Sequence, residues 1–501
     1  MTESLETAQN PEQLKRVVIE PLTRVEGHGK VTLLQDEHNQ IRQARLHIVE
    51  FRGFEKFIQG RPYWELPVLV QRLCGICPVS HHLAAAKAVD MLVGARQLTP
   101  TAEKVRRLLH YGQVLQSHAL HFFHLSSPDL LFGYDDEVHH RNIFGVIEDY
   151  PDIARQGIRL RKFGQEIIEI ISGKRIHGIS ASPGGVVKSL NSEEINYLKN
   201  DIQQIIQWAA DAVTLVKKLF DQQHDYYHDF ARIDSNMLSL AGGDGQFDIY
   251  HGSLRAKDKD GNTIFDQVDY TNYGDYIKES VKNWSYMKFP FINSIGTEAG
   301  WYRVGPLARI NNCDYMDTPL ADNQRKEFKA INDGKPVHST LAYHWARMVE
   351  LLHCAETIEK LLNDPDISGD NLQVHGDMQL TGIGVLEAPR GTLFHHYEIN
   401  EDGLVEKANL IVSTTNNNQA MNESIRQVAR THLNGNELTE PLLNQIEIAI
   451  RAYDPCLSCA THAMGKMPLE ISLINQNNEL IDQLSKSSTG QIRRTSNQSV
   501  S

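Results

Sequence analysis

Two cysteine pairs near opposite ends of the chain, Cys74-Gly75-Ile76-Cys77 and Cys456-Leu457-Ser458-Cys459, are the residues best suited to chemistry. A CxxC turn can present two thiolates to one metal, and four sulfurs form a soft ligand set. Structural zinc ribbons also use paired CxxC turns, but the pairs lie roughly 15–20 residues apart. Here 379 positions separate Cys77 from Cys456, so one shared metal would tie the two ends of the chain together. The other reading is two independent redox dithiols, which call for a βαβ setting that neither turn has. Nickel, iron, copper and zinc all accept thiolates, so ligand type alone leaves the metal open. Cys313 and Cys354 stand alone and read as buried inert thiols.

A scaffold must bring residue 77 to residue 456, and the intervening sequence reads as mainly helical. Thr99-Pro100 caps a helix with Val105, Leu108, Leu109, Gly112, Leu115, Ala119 and Phe122 at three- and four-residue steps, which predicts one long helix ending before Ser127-Pro128. Asn191 with Glu194 forms a capping box for a second helix running through Phe220. Further helical stretches lie near 341–363 and 417–433. β-rich segments flank 36–40 and Glu401-Asp402-Gly403, predicting two hairpins. The segment 241–340 reads as irregular surface structure with a small hairpin turning at Asp260-Gly261, and the polar stretch 485–501 as unstructured. The expected class is mainly α, a long central helix bundle with small β-hairpins and sheets at the periphery (α+β).

Composition narrows the function classes. With 501 residues, 41% hydrophobic and 23% charged, the chain can bury a sizeable core and is neither disordered nor a disulfide-stapled miniprotein. A formal net charge of -13 repels phosphate backbones and anionic lipid, so nucleic acid is not an expected ligand. The first twenty residues lack the apolar core of a signal peptide, and no uncharged apolar run is long enough to span a bilayer. The expected location is the cytoplasm, with no membrane span.

The flanks of the cysteines say more. Arg72-Leu73-Cys74-Gly75-Ile76-Cys77-Pro78-Val79-Ser80-His81, Asp454-Pro455-Cys456-Leu457-Ser458-Cys459-Ala460-Thr461-His462 and Arg24-Val25-Glu26-Gly27-His28 together resemble the signature blocks of the large subunit of nickel-iron hydrogenases. The resemblance runs from Glu20 to the C-terminal block. Within that family, Glu50-Phe51-Arg52-Gly53-Phe54-Glu55-Lys56-Phe57, Trp284-Ser285-Tyr286-Met287-Lys288-Phe289-Pro290 and Ala388-Pro389-Arg390-Gly391-Thr392 look like the soluble, bidirectional NAD-reducing enzymes. Methanogen-type soluble hydrogenases share the first and third of these blocks.

The resemblance implies a centre of one nickel and one iron, the iron carrying carbon monoxide and two cyanides. Cys74 and Cys456 would be terminal thiolates on nickel, and Cys77 and Cys459 would bridge the two metals. Dihydrogen would split heterolytically, with a terminal thiolate such as Cys456 or a nearby base taking the proton and Glu26 relaying it outward. His81 would donate a hydrogen bond to a bridging thiolate, Arg390 would lie over the metals facing the cyanides, and the Thr414 hydroxyl would bond a cyanide. Asp454 would pair with an Arg near the metals or cap the following turn. Glu55, His462 and the Leu410 carbonyl match the family's magnesium ligands, a set suited to a hard cation. Ser117 stands where membrane-attached members carry Asp, so a role for that Asp does not transfer. His118, His121 and His124, spaced by three, read as core and interface polar groups.

Partners follow from what the chain does not carry. It has no GxGxxG fingerprint and no spare set of four cysteines for an iron–sulfur cluster. FMN, NAD and the clusters would therefore sit on diaphorase subunits and on an iron-sulfur small subunit. The family is also matured by nickel-insertion factors and an endopeptidase that cuts after the His of the last block. That division makes 1–462 a single catalytic domain and 463–501 a removable extension. The alternatives are a soluble hydrogenase with another acceptor, a non-catalytic relative from respiratory complex I, and a structural zinc protein.

Overall fold

The computed structural model describes residues 15–19, 24–36, 38, 40–48, 53–136, 140–433, 439–460, 469–474, 480–486 and 492–496. Helices Pro100–Leu120, Pro151–Ser172, Ser192–Gln222 and Ala342–Leu362 form the bundle, Ala342–Leu362 packing between the first and third of them. The Thr99 hydroxyl accepts the Ala102 amide at 3.2 Å, and Asn191 with Glu194 completes the expected capping box of the 31-residue helix. Helix Pro151–Ser172 is not among the elements read from the sequence, although its apolar stripe of Leu160, Phe163, Ile167 and Ile171 is buried. The first helix differs from the expectation. After Leu120 it widens into a π-helical turn, His121–Ser126, before resuming as α-helix from Ser127 to Phe132.

The fold is mainly α with small sheets, as expected. Strands Gly29–Gln35 and Ile41–Ile48 pair antiparallel around the first predicted turn, and Gly391–Ile399 and Val405–Ile411 around the second. One sheet reaches in from the edge to the core. Strand Thr381–Ala388 is buried at every residue but its first and lies under helix Pro78–Leu92. Gly382 and Gly384 make that approach possible, since a Cβ added there would lie 2.2 Å from the Ala88 carbonyl oxygen and 2.1 Å from that of Ala84. The helix is thereby seated with its first turn, immediately after Cys77, over the end of the strand that leads to Arg390.

Two expectations are corrected. The segment 241–340 is not irregular: Ser253–Lys257 and Thr263–Val268 form the expected hairpin within a four-stranded sheet with Asn236–Ala241 and Tyr302–Arg303. Helices Pro306–Asn312 and Pro319–Ala330 follow it. Short elements opened by proline give little periodic signal, which explains the misreading. At the C-terminus, strands Leu469–Ile474, Leu480–Lys486 and Ile492–Ser496 form an antiparallel meander, so 485–501 is not wholly without structure. Alternation of Leu469, Ile471 and Leu473 with Glu470 and Ser472 carries the strand pattern there.

Candidate metal centre

All four paired cysteines converge. Their sulfurs lie within 4.8 Å of one another and all are buried. Cys74 ends the turn Gln71–Leu73 in extended conformation, and its sulfur accepts the amides of Ile76 at 3.2 Å and Cys77 at 3.1 Å. Cys77 caps helix Pro78–Leu92. From the other end of the chain, Cys456 Sγ lies 3.3 Å from Cys74 Sγ and 2.8 Å from Cys459 Sγ, none of these being disulfides.

The N-terminal arm runs alongside the second CxxC turn. Glu26 bridges Cys456 in parallel, its carbonyl accepting the Leu457 amide at 3.0 Å. Its carboxylate Oε2 lies 2.9 Å from Cys456 Sγ and accepts the Ser458 amide at 3.1 Å. Gly27 is required next, because its φ is +81° and a Cβ would lie 2.8 Å from the Ser458 nitrogen.

The turn between strands Thr381–Ala388 and Gly391–Ile399 delivers Arg390. Its Nη2 donates to Asp454 Oδ1 at 3.0 Å, so Asp454 pairs with this arginine. Burial alone would lower the Arg390 guanidinium, but Asp454 and the cysteine sulfurs hold it well above its ordinary range. A small cavity beside it is lined by Cys77, Ser80, His81, Arg390, Thr414 and Cys456, among others. The Thr414 hydroxyl accepts the Cys456 amide at 3.0 Å. His81 holds His395 Nε2 through its own Nδ1 at 3.1 Å.

Protonation gives the cluster its charge logic. Burial pushes Cys456 and Cys459 well above an ordinary thiol. Burial opposes ionisation of Cys74 too, but hydrogen bonds from Cys456, Cys459 and Cys77 outweigh it and hold that thiol well below. Four neighbouring sulfurs in a buried pocket cannot all be anions by themselves; a soft cation among them removes the conflict.

A family model described as nickel-dependent hydrogenase matches residues 52–132 and 246–462, and a HoxL-like model matches 16–51. The chain belongs to the nickel-dependent hydrogenase family. It is similar to the NAD-reducing hydrogenase HoxS subunit beta of Cupriavidus necator, 46% identical over 94% of this chain and 99% of that protein. It is also similar to an F420-non-reducing hydrogenase subunit of Methanothermobacter thermautotrophicus, 43% identical over 90% of this chain and 95% of that one. Among solved structures, an NAD+-reducing [NiFe]-hydrogenase in the H2-reduced state matches with a TM-score of 0.87 and 54% identity, covering 89% of this chain and 99% of its own.

The four-sulfur cluster fits the nickel of such a hydrogenase, and the donors around it fit small polar ligands. Arg390 Nε and Nη1, Asp454 Oδ2 and Ser80 Oγ are buried without a hydrogen-bond partner among the described residues. Arg390 and Ser80 line the cavity, and Asp454 pairs with Arg390. Glu55 is also buried, and its Oε1 accepts the Leu410 amide at 2.8 Å, which brings two of the three expected magnesium ligands together. The third, His462, lies outside the described residues.

The sequence reading missed the groups that brace this hydrogenase site. Arg309 donates to the Ala388 carbonyl at 2.8 Å and the Pro389 carbonyl at 3.2 Å, while Glu350 and Glu387 hold its guanidinium. Asp129 pairs with both Arg24 and Arg451. His177 bonds the Cys74 carbonyl at 3.0 Å through Nε2. The one signal available was Arg24 within the first signature block. His118 pairs with Glu350 at 2.9 Å and His121 with the Arg451 carbonyl at 2.6 Å, as core polar groups do.

Proposed function

We propose that this hydrogenase chain is the catalytic large subunit of a soluble bidirectional enzyme that reversibly splits H2 and passes electrons, through partner subunits, to NAD+. The observation that carries the reading is the 2.9 Å contact between the Glu26 carboxylate and a sulfur of a closed four-cysteine cluster. Cys74 and Cys456 would hold nickel terminally, and Cys77 and Cys459 would bridge it to iron bearing carbon monoxide and two cyanides. When bound, that metal pair polarises dihydrogen so that it separates into a proton and a hydride.

The chain's own residues do the rest. Cys456 Sγ takes the proton and hands it to Glu26 Oε2, which the Ser458 amide holds in place. Arg390 and the Thr414 hydroxyl would face the cyanides, with Asp454 keeping the guanidinium charged and oriented. Burial of every sulfur excludes water from the reacting end. Glu55, the Leu410 carbonyl and His462 would hold a magnesium ion at the foot of the C-terminal block.

Electrons would leave toward an iron-sulfur small subunit on the Cys74 side. The loop whose His177 bonds the Cys74 carbonyl exposes Ile176, Ile179 and Val187 to about half of their surface, an apolar rim suited to docking. FMN and NAD would belong to diaphorase partners. Among the described residues no helix is long and apolar enough to cross a membrane, which suits the cytoplasmic location we assign. Residues 463–501 would be cut away by a maturation endopeptidase once nickel-insertion factors have loaded the site.

Metal analysis and infrared spectroscopy of the purified complex test the reading together. One nickel per large subunit, iron in excess of nickel because of the partners' clusters, and carbonyl and cyanide bands are expected; zinc without nickel would overturn it. Intact-mass measurement of active enzyme should show a chain ending at His462, and an active full-length chain would refute the cleavage. A soluble acceptor other than NAD+ is the second reading, favoured by the similarity to the methanogen protein. Rates of H2 oxidation with NAD+ as sole acceptor separate the two.

A further inference from the structure

His81, His395 and Tyr397 form a buried line leading from the metal cavity into the apolar interior. Beyond the 3.1 Å contact of His81 Nδ1 with His395 Nε2, His395 Nδ1 lies 2.6 Å from the Tyr397 hydroxyl. His395 and Tyr397 are alternate residues of strand Gly391–Ile399, so they share one face of it. All three are at most 1% exposed, and Tyr397 sits among Ile58, Leu66, Val70 and Leu73.

We infer that Tyr397 and His395 are positioning residues that fix the tautomer of His81, so that it presents an N–H to the metal cavity and never a lone pair. The direction follows from the donor inventory. A tyrosine hydroxyl has one hydrogen to donate, and His395 Nδ1 is its hydrogen-bond partner among the described residues. Were that hydroxyl only an acceptor, its O–H would be left unmet in apolar surroundings, at about 1–3 kcal/mol. Burial pushes the Tyr397 hydroxyl well above its ordinary value, so it keeps that hydrogen. The Tyr397 O–H therefore donates to His395 Nδ1, and a neutral imidazole accepting at Nδ1 carries its hydrogen on Nε2. That Nε2–H donates to His81 Nδ1, which places the His81 hydrogen on its own Nε2. A ring so fixed can donate to a sulfur of the cluster and cannot serve as a further metal ligand. Donation to a thiolate withdraws electron density from the metals it binds.

Neutron diffraction from deuterium-exchanged crystals of the holoenzyme tests the assignment directly. Deuterium is expected on Tyr397 Oη, on His395 Nε2 and on His81 Nε2; deuterium on His81 Nδ1 with His395 Nε2 bare would overturn it. A second arm rests on the nickel–iron reading and uses Tyr397→Phe in the intact complex. With its donor gone the tautomer is no longer fixed, and the carbonyl stretching band should split or move to lower wavenumber. His396→Gln, on the same strand but bonded to Tyr273, should leave the band in place. An unmoved band in Tyr397→Phe refutes the inference. A wild-type enzyme without a carbonyl band refutes the nickel–iron reading instead, and the deuterium positions still decide the tautomer.

Discussion

Replacing Glu26 with Gln isolates the proton-handling role of the first signature block. The substitution keeps the side chain's shape, and the glutamine carbonyl can still accept the Ser458 amide, now held at 3.1 Å by the carboxylate. The backbone bond from Leu457 to the Glu26 carbonyl, 3.0 Å, is untouched, so the arm stays beside the cysteine turn. What is lost is a base 2.9 Å from Cys456 Sγ. A positioned acid or base contributes roughly 10²- to 10⁴-fold, which corresponds to about 3–5 kcal/mol in the barrier. Turnover should therefore fall by that factor in both directions. Infrared bands and metal content should match the wild type, because the cluster itself is unchanged. Glu26→Asp withdraws the carboxylate by one methylene, about 1.5 Å, beyond hydrogen-bond reach of the sulfur, and should fall between the two. The assays are steady-state H2 oxidation and exchange of deuterium gas with water. Wild-type turnover within threefold in Glu26→Gln would refute the relay, and loss of metal would show that Glu26 acts in assembly instead.

Arg309→Met leaves Glu350 and Glu387 buried without their shared partner and should cost about 3–5 kcal/mol in chemical denaturation; a loss under 1 kcal/mol would refute the clamp. Gly384→Ala forces a Cβ to within 2.1 Å of backbone and should destabilise by roughly 1–3 kcal/mol while lowering metal content; unchanged content would show that helix Pro78–Leu92 does not set Cys77. His82, His110 and His118 are each pushed down to about 4 by burial, against about 6.5 when unfolded. Between those values the unfolded chain binds protons that the folded chain does not, so stability is full above about 6.5 and falls as pH drops toward 4. Unfolding at pH 5 should take up about three protons from these rings, and a midpoint that does not change from pH 7 to 5 would refute their neutrality.

Local signals carried much of the fold. Thr99-Pro100 and Asn191 with Glu194 mark helix starts because capping is a contact within four residues, and the two hairpins are legible because turn chemistry is local. Cys74, Cys77, Cys456, Cys459 and Glu26 were legible because their neighbours repeat a recognisable spacing. The bracing groups were not. Arg309, Glu350 and Glu387 lie on three separate elements, and an isolated arginine in sequence reads as a solvated surface group. The same holds for Gly382 and Gly384, whose purpose shows only when helix Pro78–Leu92 lies on them.

The π-helical turn His121–Ser126 decides where the residues that follow it point. A residue inserted into an α-helix rotates everything after it by about 100°. Here the turn His121–Ser126 precedes Asp129, and Asp129 faces two arginines that belong to opposite ends of the chain. Arg24 stands two residues before Glu26, and Arg451 five residues before Cys456. A single buried carboxylate thus sets the register between the arm that supplies the base and the arm that supplies the sulfur. His121 bonds the Arg451 carbonyl and Arg24 bonds the Leu125 carbonyl at 2.9 Å, so both arms are also held by the turn itself. A regular helix through 121–126 would point Asp129 elsewhere and take from Arg24 and Arg451 the carboxylate they share, leaving Arg451 its pair with Glu447 and the two arms without their common anchor.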